Sequence, residues 1–439
     1  MHLTPLHQSL WSTLAPAAAP HPPLAEDIDT DVLVCGGGIL GLSTALHLAE
    51  KGMDVTLVEA EESGFGASGR NTGFVVPSLK TAIGPEDVAA RIGPTHAERL
   101  VSLVGQSGDV VFDLIRRLSL DCSAEQTGWL QPAHSAQMLT TLERRAREWQ
   151  RRGSPTEMLG REATAARIGT GVYHGALFVP SGGQINPLAY TRELARACVT
   201  AGVKLFEGTP VSGFERVADR WHVRTPKAVV RPKRVLLATN ALVGNLLPEV
   251  NASIIPARVF QIATQCYDTD VQASILPTRT PVADTKRHTF AARWSPDGRL
   301  VTGGLVILGP NPLGRAKRKF SRRLRAFFPS IPAPEADYAW TGVIAVTLDS
   351  YPRFLSVAPD MEAVIGCNGR GVALTTALGR ELASYYAGET AGEFVLPLEK
   401  PTPVPMRRFT ELAPSLWLPW SEFRDARESV PPSKAGNGG

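Results

Sequence analysis

Residues 31–78 restrict the possible folds of this chain more than any other stretch: DVLVCGGGILGLSTALHLAEKGMDVTLVEAEESGFGASGRNTGFVVPS. Asp31–Cys35 is a short apolar run of the kind that forms a buried parallel strand. Gly36, Gly38 and Gly41 follow in G-x-G-x-x-G spacing, with Ile39 and Leu40 inside the turn. Leu42, Ala45, Leu46 and Ala49 then recur as one face of a helix that Gly52 ends. Val55–Val58 reads as a second strand, closing on Glu59, 18 residues past Gly41. Each residue type has a physical task. Gly36 permits a tight turn, Gly38 lets the backbone approach a pyrophosphate, and Gly41 lets helix and strand pack closely. The helix N-terminus offers free N–H groups and a positive dipole end to phosphate. A carboxylate at Glu59 accepts hydrogen bonds from a ribose diol and repels a 2′-phosphate, favouring FAD or NAD over NADP.

The chain has 439 residues, enough for two or three domain-sized cores. A net charge of +4 is small at this length and points to no nucleic-acid partner. The densest basic run, Arg315 to Arg325, carries Phe320, Leu324 and Phe327 at helical spacing and reads as a solvated helix face rather than a patch for an acidic partner. Five scattered cysteines form no C-x-x-C pair, so no disulfide framework or metal site is expected and a reducing, cytoplasmic setting fits. No apolar run is long enough to span a bilayer, and residues 1–30 lack the Lys and Arg of a signal peptide.

Met1 to Ile28 is rich in Pro and Ala and is expected to be extended or mobile, with Leu10, Trp11 and Leu14 as possible surface anchors. Glycines 64, 66, 69 and 73 suggest backbone passing close to a ligand, and Arg70 and Asn71 beside them can donate to phosphate or ring oxygens. Residues 94–118 and 135–151 read as helices, with Trp129-Leu130 a short strand between them. Asn186 is the expected N-cap of a helix beginning at Pro187 and stopped by Gly202. Val203–Glu207, a hairpin over 211–224, and Arg234–Ala238 read as strands. From Ile254 to Thr341 the pattern becomes strands and turns, with a hairpin at Pro296-Asp297-Gly298. Ala363–Gly366 returns to the first style and leads into a second glycine-rich strand-to-helix turn, Cys367–Ala373, with a helix to Tyr386. A Pro-rich tail follows Leu398; Leu412 to Phe423 is expected to pack on the body or on a partner subunit.

Taken together, the first motif, Gly66-Ala-Ser-Gly-Arg-Asn71, Leu237-Ala-Thr-Asn-Ala241, Thr347-Leu-Asp349 and Gly369-Arg-Gly-Val-Ala373 resemble, in order, the D-amino acid oxidase / sarcosine oxidase superfamily of FAD-dependent amine oxidoreductases. Ser68–Asn71 and Trp340-Thr-Gly342 most resemble its γ-glutamylputrescine oxidase-like branch. The resemblance spans roughly Asp31 to Pro397 and implies an α/β chain: a discontinuous glutathione-reductase-type Rossmann domain for FAD with an inserted, mostly antiparallel substrate domain. The expected division is 1–28 extension; 29–90, 152–240 and 342–398 FAD-binding domain; 91–151 and 241–341 substrate domain; and 399–439 tail.

Position by position, the resemblance implies that Gly36, Gly38 and Gly41, with Ile39 and Leu40, hold the pyrophosphate and Glu59 the adenosine ribose. Ser68, Arg70 and Asn71 lie along the pyrophosphate and flavin, Val211 meets the adenine, and Asn240 and Ala241 close over the cofactor. Gly369, Arg370, Gly371, Val372 and Ala373 bring a helix N-terminus to the flavin's pyrimidine oxygen. Two departures stand out. Trp340–Thr347 lacks the Cys that attaches FAD covalently in sarcosine-oxidase-like members, so non-covalent FAD is expected. Arg370 and Ala373 replace the His and Lys of Gly-His-Gly-x-Lys, so a substrate carboxylate held by that Lys is not expected, whereas Arg370 offers another partner for an acid.

The expected reaction is oxidation of a C–N bond in an amine or amino acid, with oxygen as acceptor and hydrogen peroxide as product. No side-chain catalyst is required, and none is assigned. Candidate pocket residues are Phe74, Trp129, Gln261, Tyr338, Trp340 and Arg370. A dehydrogenase with a quinone or protein acceptor, or a non-catalytic flavin-fold subunit, are the rival readings. Substrate identity and oligomeric state do not follow from the sequence.

Overall fold

The computed structural model describes residues 3–80, 83–307, 309–390, 393–407, 420–421 and 424–425. Two sheets organise it. The first has a parallel centre in the order Lys204–Phe206, Val55–Val58, Ile28–Cys35, Val229–Leu237, Met361–Ile365. Arg353–Ala358 adds antiparallel to the last of these, and Leu398–Glu399 pairs with it. The hairpin Gly213–Val217/Arg220–Arg224 hangs from the start of Val229–Leu237. Its central strand, Ile28–Cys35, is buried from Val32 to Cys35, which explains the continuous apolar run.

The helix Ile39–Glu50 packs on this sheet and on the helix Gly371–Tyr386. The packing has a visible device: Gly379 abuts Ser43, and Ser43 Oγ donates to Thr376 O at 2.8 Å. The helix Pro187–Thr200 starts where expected, with Asn186 Oδ1 accepting from Leu188 N and Ala189 N, both at 3.1 Å, a cap worth about 1 kcal/mol. Pro94–Leu118 also joins this layer: Leu100, Val101 and Val104 share a core with Val372, Ala377 and Leu46. The expectation assigned 91–151 to the other domain. The long helix instead buries its apolar stripe against the nucleotide-side helices.

The second sheet runs Ala336–Val346, Ile255–Cys266, Arg299–Leu305, Ala291–Trp294, Val282–Ala283, Trp129–Pro132, Ala176–Val179, Glu157–Leu159. It is antiparallel except for the pairing of Val282 with Leu130. Glu157–Leu159 and Ala176–Val179 thus sit here, although the block 152–240 was expected wholly with the first sheet. Their side chains, including Leu177 and Val179, fill a core with Trp129 and Leu142. The basic helix Pro312–Phe327 covers this sheet with Phe320 and Leu324 buried, Arg318, Arg322 and Arg325 exposed, and Arg323 turned in over the Phe290 ring.

The N-terminal segment differs from expectation. Leu6–Gln8 and Leu10–Leu14 are short helices, and Leu6, Leu10 and Trp11 are buried beside Leu188, Ala263, Val301 and Trp340. Trp11 is fully enclosed; its indole N–H donates to Asn71 O at 2.7 Å and its ring meets Trp340 edge-on at 5.9 Å. Pro and Ala content signalled looseness, but three large apolar side chains outweigh it. Most of Leu412–Phe423 lies outside the described residues.

Candidate active site

The carboxyl edge of the parallel sheet carries both glycine turns. At the first, Gly36 has φ +119, and a Cβ there would meet Ala238 O at 2.9 Å. A Cβ on Gly41 would stand 2.0 Å from Gly36 O, so strand and helix touch here backbone to backbone. Leu40 and Ile39 are buried in the helix start. Ile39 N donates to Ser68 Oγ at 3.0 Å, and Gly38 faces the same hydroxyl. Ser68 therefore stands at the helix N-terminus, where the pyrophosphate is expected.

Glu59 ends the second strand. Its Oε2 accepts from Gly37 N at 2.7 Å and its Oε1 from Glu61 N at 3.0 Å. Burial raises its pKa above the usual carboxylate value, while these two N–H groups oppose that shift. Val211, half-buried before the hairpin, has a main chain that makes no hydrogen bond among the described residues.

The loop 66–74 uses its polar side chains differently from the expectation. Asn71 Nδ2 donates to Ala67 O and Ser68 O, at 3.1 and 2.7 Å, and its Oδ1 accepts from Gly73 N at 2.7 Å. Asn71 thus shapes the loop. Arg70 donates to Phe65 O, Thr4 O and Thr341 O, at 2.6, 2.5 and 3.3 Å, leaving only its Nη2 without a partner. It ties the N-terminal segment to the second sheet.

The second turn is open. Gly369 has φ +77, and a Cβ there would meet only Ile344 Cδ1, at 3.4 Å. The helix Gly371–Tyr386 begins behind it, with Val372 and Ala373 buried, and among the described residues no side chain caps its first N–H groups. Asn240, with φ 47, joins the two strand ends: its Oδ1 accepts from Gly366 N at 3.2 Å and its Nδ2 reaches Cys367 Sγ at 3.3 Å. Ala241 packs below it.

One face of the second sheet looks toward these turns. Cross-strand partners Gln261, Trp340 and Gly303 share it, as do Val259 and Gly342. A Cβ on Gly303 would overlap Gln261 Oε1, which is buried and lacks a partner. Trp340 is fully buried, its N–H on Arg70 O at 2.9 Å, so it supports the face rather than lining space. Tyr338 is placed apart: Arg299 lies over its ring at 5.2 Å, and it borders a surface hollow of about 460 Å³ with Gln8, Leu313, Lys317 and Asp337. Phe74, Trp129 and Arg370 come together, with the Arg370 guanidinium 5.2 Å above the Trp129 ring and Phe74 packed on the same cluster. Trp129 Nε1 is buried without a partner.

Sequence reasoning missed Arg145, which enters this region from the helix Ala136–Gln150 and is 3 % exposed. An arginine on the apolar stripe of Leu142, Ala146 and Trp149 was the available signal. Missed too were Gly303 and Ile344, whose roles depend on strand register.

These features fit a dinucleotide flavin: two glycine turns at one sheet edge, a carboxylate at the second strand's end, an uncapped helix, and orphaned buried polar atoms on the facing sheet. The comparisons agree. The family profile described as FAD dependent oxidoreductase (DAO) matches residues 31–385. The chain belongs to that family, and it is an FAD-dependent oxidoreductase acting on amines or amino acids. It is 33% identical over 383 residues to the γ-glutamylputrescine oxidoreductase of Escherichia coli (strain K12), covering 87% of this chain and 89% of that one. It is 30% identical over 412 residues to the probable oxidoreductase OrdL of Haemophilus influenzae, covering 92% and 94%. The L-proline dehydrogenase of P. horikoshii shares the fold, with TM-score 0.70 at 22% identity over 85% of this chain and 96% of that one. Among the described residues no helix is long and apolar enough to cross a membrane.

Proposed function

We propose that this protein oxidises the C–N bond of a small amine or amino acid to an imine, using non-covalently held FAD and passing the electrons to oxygen as hydrogen peroxide. The observation that carries the reading is the uncapped helix N-terminus at Gly371, set behind the Gly369 turn at the same sheet edge as the first glycine turn. FAD, when bound, supplies a two-electron acceptor for a C–H bond next to nitrogen. The chain supplies the rest. Gly36, Gly38, Gly41 and Ser68 receive the pyrophosphate, Glu59 the ribose, and Val211 the adenine. The free N–H groups at 371–373 stabilise negative charge on the reduced ring. Residues 340–347 offer no thiol for a covalent link.

The first sheet with its helices forms the cofactor domain, and the second sheet forms the substrate domain. Phe74 and Trp129 wall the substrate side and exclude water, which lowers the pKa of a bound ammonium and favours the neutral amine. The γ-glutamylputrescine oxidoreductase relationship supports an amine substrate.

The test is a visible spectrum of the purified protein followed by anaerobic addition of amines and amino acids. Bleaching that recovers in air with stoichiometric peroxide is the expected result. Recovery only with a quinone or dye would make the protein a dehydrogenase. A protein without flavin after incubation with FAD would overturn the reading.

A further inference from the structure

The loop that follows the first glycine turn has its carbonyls fixed in succession by one cluster of donors. Trp340 Nε1 donates to Arg70 O at 2.9 Å, and Trp11 Nε1 to Asn71 O at 2.7 Å. Arg293 Nη1 donates to Thr72 O and Gly73 O, both at 3.2 Å. Every carbonyl from Arg70 to Gly73 is thus held from the second sheet or from the N-terminal arm. The donors also brace one another. The two indoles meet edge to face at 5.9 Å, and the Arg293 guanidinium lies 5.1 Å from the centre of the Trp11 ring. Asn71 completes the arrangement from within, its own Oδ1 accepting from Gly73 N at 2.7 Å.

Pinning a carbonyl also aims a donor. The peptides of this stretch are trans, so each C=O points opposite to the N–H that follows it. With Arg70 O and Asn71 O drawn to the indoles, Asn71 N–H and Thr72 N–H face away from them. Neither N–H makes a hydrogen bond among the described residues, and both residues are half-buried. The loop also lies between the two glycine turns. It starts at Ser68, which meets Ile39 N at the first turn. A Cβ on Gly342 would meet Arg70 Cβ at 3.6 Å, and Ile344, two positions along that strand, borders Gly369 of the second turn. A cofactor that reaches from one turn to the other passes this loop.

We infer that Trp11 is a positioning residue for the flavin. Together with Trp340 it holds Asn71 N–H and Thr72 N–H as a donor pair for acceptor atoms of the ring, and through that pair the N-terminal arm raises the flavin's reduction potential. Trp11 touches no reacting atom and acts through the Asn71 carbonyl. Reduction adds negative charge to the ring, so donors fixed in advance favour the reduced form over the oxidised one. A loop free to turn its peptide planes would lose that preference to reorganisation. The inference needs bound FAD, but neither a particular substrate nor a particular electron acceptor.

The experiment uses FAD-loaded full-length protein. Trp11→Phe keeps an aromatic ring against Trp340 and Arg293 and removes the N–H. It should shift the reduction equilibrium of the bound flavin about tenfold toward the oxidised form, a fall of about 30 mV for a two-electron couple, and displace the visible absorption band. Trp340→Phe, which frees Arg70 O, should shift both in the same direction. A side chain with a merely structural role would lower the melting temperature of the FAD-free protein and leave the potential of the bound flavin where it was. A potential and spectrum unmoved by Trp11→Phe would therefore overturn the inference. A second reading needs no variant: residue-resolved amide exchange of the unaltered protein with and without FAD. Asn71 and Thr72 should exchange about tenfold more slowly when FAD is bound, as newly hydrogen-bonded amides do. Exchange at these two amides that FAD leaves unchanged would overturn the inference even if no variant could be loaded.

Discussion

Two strand-to-helix turns meet the carboxyl edge of one parallel sheet, and they are finished in opposite ways. At Gly36–Gly41 contact is so close that a single methyl group at Gly41 would fall 2.0 Å from Gly36 O, and Ser68 fills the first free N–H. At Gly369–Ala373 there is room: a Cβ on Gly371 would meet only Cys367 Cβ, at 3.6 Å, and no side chain caps the helix. The first turn is governed by sterics and the second by electrostatics. A steric requirement admits glycine alone, and so leaves a spacing in the sequence. The open helix end is marked in the sequence by Gly369, whose positive φ favours glycine, rather than by its own first turn.

Substitutions can break this contrast. The largest effect is expected from Gly41→Ala, because neither backbone partner can yield: about 3 kcal/mol of lost stability and a colourless protein, read by thermal melting and flavin absorbance. Glu59→Gln comes next. Losing a hydrogen bond to a charged acceptor is worth ~1.5–3 kcal/mol, or about 10- to 100-fold in FAD affinity, measured by equilibrium dialysis. The same change should raise the melting point of the FAD-free protein. Burial lifts the pKa of Glu59 in the folded state, so its ionisation favours unfolding at neutral pH, and removing the group removes that penalty.

Gly371→Asp tests the second turn. A carboxylate at the open helix end should lower the flavin midpoint potential by about 20–40 mV, given a helix-end interaction of ~1–2 kcal/mol, with FAD content unchanged. An unmoved potential would detach this helix from the flavin. Ser68→Ala is expected to be the smallest, under about 1 kcal/mol in FAD affinity, since a bound phosphate oxygen replaces the hydroxyl at Ile39 N.

The legible part of the fold follows the same division. The G-x-G-x-x-G unit, the helices at 94–118 and 135–151, the Asn186 cap and most strands were readable because periodicity, glycine spacing and capping are local. Arg353–Ala358 was not read, because its strand identity comes from pairing with Met361–Ile365. The placement of Glu157–Leu159 and Ala176–Val179 in the second sheet depends on partners far along the chain. In the candidate site, motif position pointed to Glu59 and Ser68, which lie at the first glycine turn, and Phe74, Trp129 and Arg370 are brought together. Tyr338 is not with them: it shares the sheet face of Trp340 but packs by the N-terminal arm and borders the hollow with Gln8 and Asp337. Arg70 and Asn71 resemble ligand-binding side chains in sequence, yet main-chain carbonyls satisfy most of their donors. Arg145 escaped notice because a cation on a buried helix face is visible only after the helix is packed.

The N-terminal arm has a consequence for synthesis. Thr4 meets Thr341, 337 positions later, and Trp11 seats against Trp340. At a translation rate of ~5–20 residues per second, the arm emerges tens of seconds before its receptor exists. The indole N–H can find Asn71 O early, but the ring lacks its Trp340 neighbour through most of the elongation that separates the two, so completing that seat belongs among the late events of folding.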